Sequence, residues 1–184
     1  MSKIFLSAVT FLFGLALPTA YFLTRAGETT FDGIDRSRAA ADEASLAASH
    51  EATIRRLIEE GWNSGDPAKL REHYGDSVSF RSPLAGRIDS VEGVEQFASG
   101  LFRAFPDARM TVTRVIASGS DAFVHFEGSG TNTGPLPNGR EATGRSISFE
   151  GLAHVVVEDG KVQQDWVYYD ALGLFRQLGL APEE

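Results

Sequence analysis

The residues best placed to do chemistry lie near the end of the chain, in the run Trp166-Val167-Tyr168-Tyr169-Asp170. Before it, Lys161, Gln163 and Asp165 are polar, whereas Val162 and Trp166 are apolar. Period-two alternation therefore predicts a strand whose even side faces a core or pocket and carries Tyr168 and Asp170 with it. A carboxyl group in an apolar pocket keeps its proton to higher pH than it does in water. That suits it to proton transfer near neutrality, and Asp170 is the candidate. Asp170 also directly precedes a short predicted helix, where aspartate is a good N-cap, so both roles stay open.

Other chemistries have less support. The chain has no cysteine, which excludes thiolate nucleophiles, thiolate metal sites and disulfides. Its four histidines show neither helical metal-site spacing nor a Ser-His-acid arrangement, so no metal ligands are assigned. His50 and His73 sit among charged neighbours on helices and are expected at the surface. His125 has the opposite parity to Val124 and Phe126 in its strand. His154 shares the even face with Trp166 and Asp170. Asp159-Gly160 at the hairpin tip is read as a three-residue turn with Gly160 as a left-handed bulge. This pairs Val156 with Val162, Leu152 with Trp166, and His154 with Gln164. His154 then lines the same cavity but stands about 20 Å along the sheet from Asp170.

The chain as a whole is one domain with an N-terminal appendage. It has 184 residues, 42% of them hydrophobic, enough for a packed core. The net charge of −8, with no basic stripe, disfavours nucleic acid as a partner. Ile4 to Leu23 is uncharged over twenty residues, long enough for a helix to cross roughly 30 Å of hydrocarbon. Residues 1–25 are read as a transmembrane anchor, with Tyr21 and Phe22 at the interface. A cleaved signal is the alternative; its best site follows Ala20, but Pro18 occupies the −3 position. An extracytoplasmic globular domain is expected, either membrane-anchored or secreted into the periplasm. Residues 26–48, small and polar, read as a linker running into helix near Asp35.

Residues 49–184 carry the domain. Ile54, Leu57, Ile58 and Trp62 make one helical stripe. Asp66 and Pro67 start a short second helix as N-cap and first residue. Ser90 caps a third over 91–105, with Val94, Phe97, Leu101, Phe102 and Phe105 on one side, and Pro106 stops it. Val78-Arg81 reads as a brief strand, and four longer strands follow Pro106. The fold class is α+β, a curved antiparallel sheet with three helices enclosing a cone-shaped cavity.

That order of elements resembles the SnoaL-like polyketide cyclase family of the nuclear-transport-factor-2-like superfamily. The matching motifs are Gly61-Trp62-Asn63-Ser64-Gly65-Asp66, Phe105-Pro106-Asp107 and Gly130-Thr131-Asn132-Thr133-Gly134, followed by Thr143-Gly144-Arg145. The ending Asp159-Gly160-Lys161 … Trp166-Val-Tyr-Tyr-Asp170 … Gln177-Leu178-Gly179 completes a match over about residues 50–180. The resemblance implies a curved-sheet barrel, usually dimeric through its outer sheet face, without metal or organic cofactor. It also implies intramolecular aldol chemistry with a pocket acid as general acid/base, at the position that matches Asp170. Trp166, Tyr168, His154, Asn132 and Trp62 would line the pocket. Two departures stand against this: Asn132 replaces a frequent family histidine, and Phe80-Arg81-Ser82-Pro83 lacks the carboxylate of related ketosteroid isomerases. Three functions are therefore expected: a cofactor-free cyclase, isomerase or lyase acting on a small hydrophobic molecule; a membrane-tethered accessory subunit of a larger complex; or a hydrophobic-ligand carrier.

Overall fold

The computed structural model of the chain describes residues 17–182. Helix α1 covers Leu17–Arg56; the helix expected to begin near Asp35 therefore already runs through residues 26–34, expected to be a linker. No proline interrupts it between Pro18 and Pro67, and residues 39–49 are rich in alanine, the strongest helix former. Most of the apolar stretch 4–23 lies outside the described residues. Among the described residues no helix is long and apolar enough to cross a membrane.

The domain begins at Ser45. At the end of α1 a π-turn at Leu57–Gly61 and a 3-10 turn at Trp62–Ser64 lead to Gly65, in the left-handed region. Asp66 then caps the short helix Pro67–Glu72, accepting from the Ala68 amide as the sequence predicts. Helix α2 covers Val91–Ala104 and is capped by Ser90; α3 covers Ala171–Gln177. The strands are β1 (Tyr74–Ser82), β2 (Gly86–Ile88), β3 (Arg109–Ser118), β4 (Asp121–Thr131), β5 (Ser146–Glu158) and β6 (Lys161–Tyr169).

The six strands form one curved sheet in the order β2-β1-β6-β5-β4-β3. Two expectations need correction. The sheet is not wholly antiparallel, because β1 pairs with β6 in parallel. It is also not closed into a barrel, since β2 and β3 remain at opposite edges. Helices, not strand closure, cover the concave face. Ile54, Leu57, Trp62, Val94 and Ala98 pack there against Phe80, Val124 and Val155.

The β5–β6 hairpin turns differently from the expected three-residue loop. Asp159 and Gly160 both have positive φ (50° and 74°), and Glu158 pairs with Lys161, which makes a two-residue turn. Val157 pairs with Val162, but Val156 pairs with Gln164, leaving Gln163 as an extra residue in β6. This bulge inverts the alternation beyond it. Val162 faces the core before the bulge; after it the inward set is Asp165, Val167 and Tyr169, not Trp166 and Tyr168. Gly75 gives the bulge room, since a Cβ there would stand 2.1 Å from Gln163 Oε1. The ladder between β1 and β6 is interrupted at the same place, between Tyr74 and Ser79.

The long loop after β4 is tied down by Asn132, which is fully buried. Its Nδ2 donates to the carbonyls of Ala104 and Gly134, and its Oδ1 accepts from the Thr143 amide and hydroxyl. Asn132→Ala would leave several of these buried groups unpaired. Equilibrium urea unfolding is expected to show a loss of about 3 kcal/mol, while Thr143→Ala, which keeps the Asn132 carboxamide, loses clearly less.

Candidate active site

A cavity of about 450 Å³ lies between the concave face of the sheet and the helices. Its wall is predominantly apolar. Trp62 and Phe102 come from the helical side, Phe80 from β1, Phe126 from β4, Phe149 from β5 and Tyr169 from β6. The rings pack edge to face or tilted; Trp62 lies 5.9 Å from Phe80 and 6.3 Å from Phe102. Exposed Pro137 and Asn138 and the salt-bridged Arg109 stand where this lining reaches the surface.

One carboxylate interrupts this surface. Asp165, on β6, lines the cavity and is 6% exposed. Its strand neighbours are Val155 on β5 and Phe80 on β1. The buried Tyr74 hydroxyl donates to Asp165 Oδ2 at 2.5 Å, and Trp62 Nε1 donates to the Tyr74 oxygen at 3.0 Å. Oδ1 makes no hydrogen bond with any of the described residues. Burial pushes the Asp165 carboxyl up to about 6, and the Tyr74 hydrogen bond holds it down only in part. Burial and the adjacent Asp165 together raise Tyr74 well above its ordinary value, so the phenol keeps its proton and stays a donor. At neutral pH the cavity thus holds a carboxylate able to take a proton, and slightly below neutrality a carboxylic acid able to give one.

The residues expected to form the site are dispersed. Asp170 is exposed, and its Oδ1 accepts from the Gly173 amide at 2.9 Å, capping α3. The bulge turns Trp166 and Tyr168 onto the convex face. There Trp166 donates to Ser79 Oγ, and Tyr168 is 52% exposed. His154 lies on that face too, paired with Trp166 and not with Gln164; its ring contacts Asp121 at 2.6 Å and Gln164 at 3.1 Å and stacks on Phe123. Asn132 sits in its loop knot and does not line the cavity. Of the expected pocket residues, Trp62 alone lines the cavity. His50 and His73, expected at the surface, are buried; His50 Nδ1 and His73 Nε2 make no hydrogen bond, the latter lying 3.8 Å from the Glu60 carboxylate. Burial lowers the His73 pKa. Among the described residues no cluster of three His, Asp or Glu is arranged to hold a metal ion.

Comparison with known proteins fits this geometry. A family model of SnoaL-like polyketide cyclases matches residues 52–178. The chain belongs to that family. No curated protein sequence matches it significantly. Among solved structures, TsrD from Streptomyces laurentii is 28% identical, with a TM-score of 0.63 over 73% of this chain and 97% of its own. IdmH from Streptomyces antibioticus, a proposed polyketide cyclase, is 28% identical with a TM-score of 0.58, covering 70% of this chain and 97% of its own. A SnoaL-like protein from Jannaschia sp. CCS1 shares the fold at 23% identity, with a TM-score of 0.64 over 74% and 95%.

Asp165 and Tyr74 escape a reading based on strict alternation. The available signal is the adjacent polar pair Gln163-Gln164, which already breaks the period of the strand and marks the bulge.

The raised carboxyl has a consequence for stability. Folded protein holds the Asp165 proton up to about pH 6, whereas the unfolded chain releases it near the ordinary value of 3.8. The contribution is therefore fully present below about pH 4 and lost as pH rises through 6, amounting to about 3 kcal/mol. Urea midpoints measured from pH 4 to 7 should fall less steeply in Asp165→Asn than in the wild type. Asp170→Ala should instead cost about 1 kcal/mol through loss of the cap, with the wild-type pH slope retained.

Proposed function

We propose that this SnoaL-like protein is a cofactor-free cyclase or isomerase in which Asp165 is the general acid/base. The observation that carries the reading is a lone carboxylate, with one oxygen uncommitted, in a predominantly apolar cavity. The substrate class that suits it is a small, largely apolar, uncharged carbonyl compound with an acidic C–H. The carboxylate takes that proton to give an enolate, the enolate carbon attacks a second carbonyl of the same molecule or is reprotonated elsewhere, and the carboxylic acid returns the proton. Aromatic walls exclude water and fold the chain of such a substrate upon itself. A buried anion in the cavity repels phosphate and carboxylate ligands, which supports the uncharged class.

The reading extends to the rest of the chain. The uncharged stretch 4–23 supports a membrane tether with the domain on the extracytoplasmic side, near the bilayer into which an apolar substrate partitions. The convex sheet face supports a homodimer. Ile116, Phe123, Leu152 and Tyr168 are each more than half exposed there, on adjacent strands. Exposed apolar residues grouped in this way mark an interaction surface more than a solvated one.

Two measurements test the proposal. Product analysis with enolisable diketones or triketones should give turnover whose kcat/KM rises to a plateau with a midpoint at about pH 6. Asp165→Asn should lose at least about a hundredfold, while Asp170→Asn stays within a few fold of wild type; the reverse order would refute the assignment. Light scattering on the detergent-solubilised chain should give a dimer, and Phe123→Glu with Leu152→Glu should give a monomer that keeps its activity. A stoichiometric complex with a larger membrane protein, together with an inert cavity, would favour the accessory-subunit reading instead.

A further inference from the structure

One oxygen of the cavity-lining Asp165 is committed and the other is not, and the reason lies in two neighbours, Tyr74 and Trp62, that the proton transfer itself does not require. Tyr74 is fully buried, opens the first strand and does not line the cavity. Its hydroxyl both donates to Asp165 Oδ2 and accepts from Trp62 Nε1. Trp62 presents its ring to the cavity and turns its N–H away from it, toward Tyr74. Three residues from the helical turn, β1 and β6 thus form a single directed chain of donors ending on one carboxylate oxygen.

We propose that Trp62 and Tyr74 are positioning residues that commit Asp165 Oδ2 and leave Oδ1 as the sole proton-transfer atom, setting the pH at which it works. The inference rests on the assignment of Asp165 above and adds the device that tunes it. The hydrogen bond to Oδ2 favours the ionised form, opposing the burial that favours the acid. Trp62 acts one step back, polarising the Tyr74 hydroxyl so that it donates more strongly. Accepting from Trp62 and donating to Asp165, the phenol hydroxyl is held between two fixed partners. No other titratable group among the described residues contributes to Asp165; the facing Val155 and Phe80 carry no charge. The closeness of the partners is enforced by the backbone. The register irregularity between Tyr74 and Ser79 lies beside the Gln163 bulge, and beyond that bulge Asp165 turns inward to meet the buried Tyr74.

The test reads Asp165 directly and needs no substrate. The full-length chain, labelled with carboxyl-¹³C aspartate and held in detergent micelles, is titrated by NMR, with Asp165→Asn identifying the resonance. The wild-type carboxyl is expected to titrate near 6. Tyr74→Phe, which keeps the ring and removes the donor, should raise that midpoint by about one to two units. Trp62→Phe should raise it by a smaller amount. A merely structural tyrosine would not move the midpoint upward in a folded variant. An Asp165 midpoint unchanged in both variants overturns the relay. If Tyr74→Phe does not fold, Trp62→Phe decides alone, a rise sustaining the proposal and no change overturning it. Full activity in Asp165→Asn would refute the functional assignment while leaving this titration result intact, so the two failures are distinguishable.

Discussion

The constraint on which this structure turns is the burial of a carboxylate. An ionised carboxyl group removed from water and given no partner costs far more than a domain of this size can absorb. Asp165 meets that cost in two ways at once. It accepts a short hydrogen bond from Tyr74, and it holds its proton to about pH 6. Neither alone would leave a useful group. A fully satisfied carboxylate, bonded at both oxygens, would stay ionised but have no lone pair facing a ligand. An unbonded one would hold its proton to higher pH, since the Tyr74 hydrogen bond opposes the effect of burial. Half-satisfaction, one oxygen bonded and one open, gives both stability and reactivity.

Everything that brings Asp165 to Tyr74 follows from one irregularity in a regular sheet. Gln163 is inserted into β6, Gly75 makes space for its side chain, and the parallel ladder to β1 is broken alongside. Beyond the bulge each side chain of β6 changes face. The same inversion that brings Asp165, Val167 and Tyr169 inward sends Trp166 and Tyr168 out to join Phe123, Leu152 and His154. The catalytic candidate and the apolar convex surface are thus two sides of one local event. A sequence change that removed the bulge would exchange them, burying an indole where the acid now stands.

This explains which parts of the architecture were legible beforehand. Helix caps at Asp66 and Ser90, the stop at Pro106 and the four long strands are local signals, encoded within a few residues of where they act. The stripe of Val94, Phe97, Leu101 and Phe102 likewise announces a helix face, and it is the face that covers the cavity. The parallel pairing of β1 with β6 is different. It joins residues more than eighty positions apart, and nothing in the brief apolar run at Val78–Arg81 specifies its partner. The buried state of His50 and His73 was equally hidden, because charged neighbours along a helix say little about what packs against its other side.

The site itself was legible by composition and not by position. An acid and a tryptophan do line the apolar hollow, but they do not share a hairpin: the acid is Asp165 on β6 and the tryptophan is Trp62 from a distant turn. Period-two reasoning failed by one residue, and in a strand one residue is the whole difference between inside and outside. Aspartate before a helix and aspartate at a strand end, the two roles open to Asp170, look alike in sequence. They separate only when the carboxylate is seen to spend its oxygen on the Gly173 amide. The general lesson is physical: an acid is a candidate for proton transfer when its hydrogen bonds are incomplete and its surroundings are dry. Those two properties belong to the packing around it and not to the motif that contains it.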